Sequence, residues 1–353
     1  MNTLELLNRL IAFPTVSRDP NRELIEFVRQ FLAERGIGSD LYLTEDGRKA
    51  NLFATIGPAD KPGVMLSGHT DVVPVDGQNW SKDAFRMTVA DEKAYGRGAT
   101  DMKGFLACAL ALADRAAQES LATPIHFAFS HDEEIGCVGV RSMIDGLETR
   151  AIRPRFAIVG EPTSMRIATG HKGKIAARAT CCGVTGHSAL APRALNAIHL
   201  ACDFIDSIRQ QQSRIEREGL RDDGYVAPYT TLHVGRINGG TALNIVPDRC
   251  TVDFEIRNIA RDNAAAILDR LMSEAAAIAT RRRDAFPQAQ IGIEVFNDYP
   301  GLATPADAEV VRFVGGLVTS RDLSKVDFGT EGGLFSERLG VPVVVCGPGS
   351  MDQ

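Results

Sequence analysis

Residues 63–71 read GVMLSGHTD, a short apolar run that ends in glycine, histidine and aspartate. The run is too short and too apolar for a surface helix and reads as a strand buried on both faces. The same design recurs along the chain. IHFAFS (125–130) runs into His131, Asp132, Glu133 and Glu134, and FAIV (156–159) runs into Gly160 and Glu161. VPVVVC (341–346) is a further buried strand, and residues 103–118, rich in alanine and leucine, form a helix between the first two strands. Apolar strands alternating with helices predict an α/β domain with a mixed sheet flanked by helices. Ligands of such sheets collect beyond the carboxyl ends of the strands. Here each of the first three strand ends carries a metal-capable side chain.

Working outward, Leu4, Leu7, Leu10 and Ile11 recur at helical spacing before Pro14, and Leu24 to Leu32 form a second amphipathic helix that stops at Gly36. Between Lys174 and Phe296 the predicted order is strand (174–182), helix (193–210), strand (231–237), strand (250–257), helix (262–282), strand (290–296). That βαββαβ order is the pattern of a ferredoxin-like α+β domain. It interrupts the first domain, so the expected organisation is 1–173, an inserted domain at 174–299, and a return to the first domain at 300–353.

The 353 residues suit two domains, and 44% hydrophobic with 24% charged residues excludes wholesale disorder. A net charge of −6 argues against a nucleic-acid partner. The longest uncharged apolar run, 104–113, is half of what a membrane span needs, and Glu5 and Arg9 spoil the N-terminus as a signal peptide. The seven cysteines include no CxxC pair, and Cys181 and Cys182 are adjacent. This favours reduced thiols and a cytoplasmic location, with Cys108, Cys202 and Cys250 as buried packing residues.

The strand-end residues carry the chemistry. His69 and Asp71 lie two apart and point the same way in an extended segment. His69 can ligate a metal while Asp71 accepts its other ring N–H, or the two are an interior histidine and a turn cap. Asp101 precedes a helix and suits either an N-cap or a carboxylate bridging two metals. Adjacent Glu133 and Glu134 repel unless a cation or proton compensates. One can bind a metal while the other takes a proton from water; the alternative is a solvated acidic loop. Glu161 is open in the same way. Together, one histidine and several carboxylates suit zinc, cobalt or manganese, and two such cations can activate water and polarise a carbonyl. Competing signatures fail: GRGATD (96–101) has Asp101 where a dinucleotide loop needs its third glycine, and the chain has no phosphate-binding GKS/GKT loop and no G-x-S-x-G elbow.

The segments SGHTDVVP (67–74), GRGATDMKG (96–104), SHDEEIG (130–136), GEPT (160–163) and TGHSALAP (185–192) resemble the di-zinc M20 metallopeptidase and deacylase family, in order and over nearly the whole chain. GHKGKI (170–175), residues 229–247, FGTEGGLF (328–335) and residues 343–353 are similar to its acetylornithine deacetylase branch. The resemblance implies a zinc-peptidase-like catalytic domain, an inserted dimerisation (lid) domain, a homodimer, and two Zn2+ ions, with Co2+ as a substitute. It implies that His69 and Glu161 hold the first zinc, Asp101 bridges, Glu134 holds the second, Glu133 is the general base and Asp71 orients His69. By the same resemblance His187 reaches the partner's site to stabilise an oxyanion, while Asn244 and Arg257 bind substrate, an N-acyl amino acid. Family members continue after the final glycine-rich segment with Ala-His, which completes the second site, whereas this sequence stops at Gln353. If the molecule ends there, the expectation is an intact first site, a second held by Asp101, Glu134 and water, weak second-metal binding, and reduced or absent activity. The implied reaction is deacetylation of N2-acetyl-L-ornithine in arginine biosynthesis. The alternatives are a succinyl-diaminopimelate desuccinylase, another aminoacylase or dipeptidase, or an inactive metal-binding dimer that binds amino acids or peptides.

Overall fold

A computed structural model describes residues 1–351. The chain divides into two compact units, Met1–His171 with Leu302–Gln353, and Lys172–Gly301. Each junction lies two residues outside the expected one. Lys172 Nζ donates to the Ala227 and Tyr229 carbonyls, and Gly173 N donates to Asn258 O, which ties both residues to the second unit.

The first unit is built on a nine-stranded mixed sheet. At its centre Ile125–Ser130, Val64–His69, Phe156–Val159 and Val343–Val345 run parallel. Register explains why their carboxyl ends converge: His69 pairs with Ser130, and Ser67 with Val159. Residues 69–71, 131–134 and 160–161 therefore leave the sheet at one level. The strands Ala50–Ile56 and Ser39–Leu43 add an antiparallel edge, and Ala50–Ile56 is buried along nearly its whole length.

The helices Thr3–Ile11, Arg22–Ala33 and Gly104–Ala116 bury Leu6, Leu10, Leu24, Val28, Leu106 and Leu110 against Phe127 and Phe129. The first helix opens with a capping box in which Asn2 and Glu5 satisfy each other's backbone N–H groups. Gly36, at φ +72°, ends the second. Cys108 and Cys202 are exposed rather than buried. Each lies on the outward face of its helix, where an apolar neighbourhood in sequence does not become one in space. Cys250 is buried, as expected.

The second unit is a four-stranded antiparallel sheet in the order Thr231–Gly239, Arg249–Arg257, Lys174–Cys182, Gln290–Tyr299, with two long helices, Ala197–Glu218 and Ala264–Thr280. This is the ferredoxin-like order. Its core joins Leu200, Phe204 and Ile208 to Val252, Phe254 and Ile256. The first helix begins at Ala197 rather than 193, because Asn196 caps it by accepting from the Ile198 and His199 N–H groups.

Candidate metal centre

Six of the nine candidate residues meet at the carboxyl rim of the parallel strands. His69 ends its strand almost wholly buried. Its Nε2 lies 2.9 Å from Asp101 Oδ1 and 3.7 Å from Glu161 Oε1. Its Nδ1–H donates to the Asp71 backbone carbonyl at 2.9 Å and lies 3.6 Å from Asp71 Oδ1. The ring is thus held by the backbone of Asp71 more closely than by its carboxylate. That carboxylate accepts instead from the N–H groups of Glu133 (3.2 Å) and Glu134 (3.3 Å), and suspends the acidic loop beside the histidine.

Asp101 is not a helix cap. The helix starts at Gly104, and Asp101 sits before it at φ −117°, ψ 99°, with its carboxylate turned to His69. The preceding turn depends on Gly98, whose φ of +77° suits glycine. Glu161 is placed by the close packing of Gly160, where a Cβ would fall 2.0 Å from the Phe105 ring.

Two triads of ligand atoms result, His69–Glu133–Glu161 and His69–Asp101–Glu134, each with its atoms within 4.8 Å of one another. Glu331, quoted above only as part of FGTEGG, joins them from the far end of the sequence. It is 1% exposed, its carboxylate accepts from Ser67 Oγ at 3.3 Å, and its Oε1 is buried without a hydrogen bond. His131 belongs to neither triad; its Nδ1 lies 3.1 Å from Asp132 Oδ2.

The electrostatics are those of acids crowded out of water. Burial, with neighbouring carboxylates, pushes Glu133 up to about 8 and Glu134 up to about 7, and raises Glu161 well above its ordinary value. Burial also pushes Glu331 up to about 7, against the pull of Ser130, His69 and Ser67. Burial disfavours a charged His69, yet Asp101, Asp71 and Glu161 outweigh it and raise the imidazole well above its usual range. Asp101 is held low by His69 despite its own burial. A buried excess of carboxylates around one imidazole is the donor set that a hard-to-borderline divalent cation neutralises, so these residues fit the metal that the sequence implies.

The other three candidates lie in the second unit. His187 and Asn244 are neighbours there: the short strands Gly186–His187 and Ile245–Val246 pair, and Ser188 N donates to Asn244 O at 3.0 Å. His187 is exposed, and its Nδ1 accepts from Ala189 N at 3.1 Å, which leaves Nε2 as the donor of the neutral ring. Arg257 is half-buried, between Glu255 (3.1 Å) and the Tyr299 hydroxyl (3.0 Å). The expectation about a further ligand beyond the glycine-rich segment falls at Gln353, outside the described residues.

The profile of peptidase family M20/M25/M40 matches residues 65–353. The chain is 36% identical to an acetylornithine deacetylase from Myxococcus xanthus, over 98% of this chain and 88% of that protein. It is 32% identical to another from Pasteurella multocida, over 99% and 90%. The fold matches an M20 family metallo-carboxypeptidase from Sulfolobus solfataricus with a TM-score of 0.75 at 18% identity, covering 98% of this chain and 91% of that one. It also matches a Bacillus subtilis protein described as a dinuclear metal binding peptidase from the M20 family, with a TM-score of 0.66 at 16% identity, over 98% and 88%.

Proposed function

The chain belongs to peptidase family M20/M25/M40 and is an amide hydrolase, and we propose that its substrate is N2-acetyl-L-ornithine, cleaved to L-ornithine and acetate. The convergence of His69, Asp101, Glu133, Glu134 and Glu161 at one strand rim carries the chemical part of this reading. Similarity over nearly the full length to acetylornithine deacetylases supports the substrate.

His69, Glu161, Asp101 and Glu134 would hold divalent cations, zinc with cobalt as a substitute, which supply Lewis acidity toward the acyl carbonyl and acidify water. Glu133 is then the proton carrier. It takes a proton from the attacking water and returns it to the amine nitrogen as the C–N bond breaks. Asp71 keeps it in place by holding its backbone N–H. His187, with Nε2 as donor, is suited to stabilise the developing oxyanion. The Arg257 guanidinium is suited to a substrate carboxylate, and Asn244 to a polar group.

The proposed setting is a cytoplasmic step of arginine biosynthesis. No helix among the described residues is long and apolar enough to cross a membrane. The proposed assembly is a homodimer through the Lys172–Gly301 unit, whose exposed Ile237, Leu243 and Ile245 lie on and beside an edge strand.

The test compares hydrolysis of N2-acetyl-L-ornithine, N-succinyl-diaminopimelate and a panel of N-acetyl amino acids. Preference for acetylornithine supports the reading. Preference for the succinyl compound, or turnover of none, refutes the substrate.

A further inference from the structure

The first residues after the opening helix are laced to the strand end that carries His69. Val16 forms a parallel bridge with Val72, Val72 N donates to Thr15 O at 3.0 Å, and Ser17 N donates to Val72 O at 3.2 Å. This lacing sets Ser17, 3% exposed, directly against the carboxylate that suspends the acidic loop: Ser17 Oγ donates to Asp71 Oδ2 at 2.7 Å. The same residue is gripped from the other side. Lys49, which leads into the strand Ala50–Ile56, donates from Nζ to the Ser17 carbonyl and to Asp132 Oδ1, the latter at 2.5 Å. The remaining Asp132 oxygen faces His131 Nδ1 at 3.1 Å, and Asp132 holds a left-handed φ of +55°.

Two routes therefore leave Ser17. One runs through its hydroxyl and Asp71 to the N–H groups of Glu133 and Glu134. The other runs through its carbonyl and Lys49 to Asp132. Both end on consecutive residues of one loop. The Lys49 and Asp132 side chains are only 16% and 12% exposed, so this is not a solvated surface pair of the kind that contributes little. Neither Ser17 nor Lys49 belongs to the metal-capable triads.

We propose that Ser17 and Lys49 are positioning residues for the hydrolysis, which together fix the 132–134 loop and so aim the Glu133 carboxylate. The proposal rests on Glu133 being the base, and a direct readout of the loop keeps the two ideas separable.

The experiment uses metal-loaded protein and the variants Ser17→Ala, Ser17→Thr, Lys49→Met, Lys49→Arg and the double variant S17A/K49M. Deuterium uptake is followed in peptides covering 131–138 and, as a control, 156–159. Ser17→Ala and Lys49→Met should raise uptake in 131–138 and leave 156–159 unchanged. Each should lower kcat by about 10-fold, within the range typical for removing an outer partner of a metal site, with KM changed less than about twofold. Ser17→Thr, which keeps the hydroxyl, and Lys49→Arg should restore most of the rate. The double variant should lose less than the product of the single losses, because both act on one loop.

Unchanged uptake in 131–138 overturns the proposal. So does a rise in both peptides, which would mark a general loss of stability, or a loosened loop with wild-type kcat. If the wild type cleaves no N-acyl amino acid, the functional reading fails, and the uptake in 131–138 by itself decides whether Ser17 and Lys49 hold the loop.

Discussion

The two units place their candidate residues in opposite surroundings. In the first, parallel strands buried on both faces end at a common level, and the polar groups beyond them are forced together out of water: His69, Asp71 and Glu161 are each less than 5% exposed. In the second, the strand Arg249–Arg257 alternates buried and half-buried positions, the pattern of a sheet covered on one face. His187 and Asn244 lie there on exposed backbone, held by contacts with nearby loop backbone. Crowded, desolvated acids announce chemistry by their electrostatics. An exposed histidine on a short strand announces nothing until a substrate or second chain meets it.

Substitutions can break this contrast. Glu133→Gln removes the proton carrier but no proposed metal ligand, so kcat should fall by about 10²–10⁴-fold with metal content per chain unchanged. Loss of metal as well would place Glu133 among the ligands, as its membership of one triad allows. His187→Ala should cost about 10²–10³-fold in kcat while leaving both metal content and Tm at wild-type values. Full activity in that variant would remove His187 from the chemistry.

A smaller effect is expected from pH, and only the first unit should show it. In the metal-free protein Glu133 stands near 8 and Glu134 and Glu331 near 7, all raised by burial. The folded state thus keeps protons that the unfolded chain releases above the ordinary carboxylate value. That stabilisation is fully present below about pH 4.5 and is lost as pH rises toward 7–8. Thermal unfolding of chelated protein between pH 5 and 8 should show a falling Tm, and added zinc should flatten the slope. A flat profile without metal would contradict the crowding. The smallest effect belongs to the second unit's exposed sheet face. Arg178 and Asp253 pair there at 2.6 Å, with Arg178 47% exposed, so Arg178→Ala should leave the denaturant midpoint of unfolding close to the wild-type value.

What could be read from residue order alone follows the same division. GVMLS, IHFAFS and FAIV expose the parallel strands because burial on both faces leaves continuous apolar runs, and the residues just beyond them are the rim. The βαββαβ order of the insert is equally plain from alternation and helical periodicity. Contacts that cross the chain are not. Glu331 reaches Ser67 over 264 positions, and nothing local to FGTEGG marks its carboxylate as buried. Asp101 looks like a helix cap because aspartate before a helix usually is one; only the turn after Gly98 lifts it away toward His69. The Asp71 carboxylate serves the backbone of residues 62 and 63 positions away, Glu133 and Glu134, a partnership that short-range spacing assigns to His69 instead. Ser17 and Lys49 are invisible for the same reason.

The most direct test of a metal-dependent hydrolytic rim is turnover of N2-acetyl-L-ornithine by chelated protein, before and after reconstitution with zinc or cobalt, alongside metal content in the wild type and in His69→Ala and Glu161→Ala. No turnover is expected without metal, with recovery on reconstitution and loss of bound metal in both variants. Turnover that survives chelation, or full metal content in both variants, would contradict a metal-dependent rim.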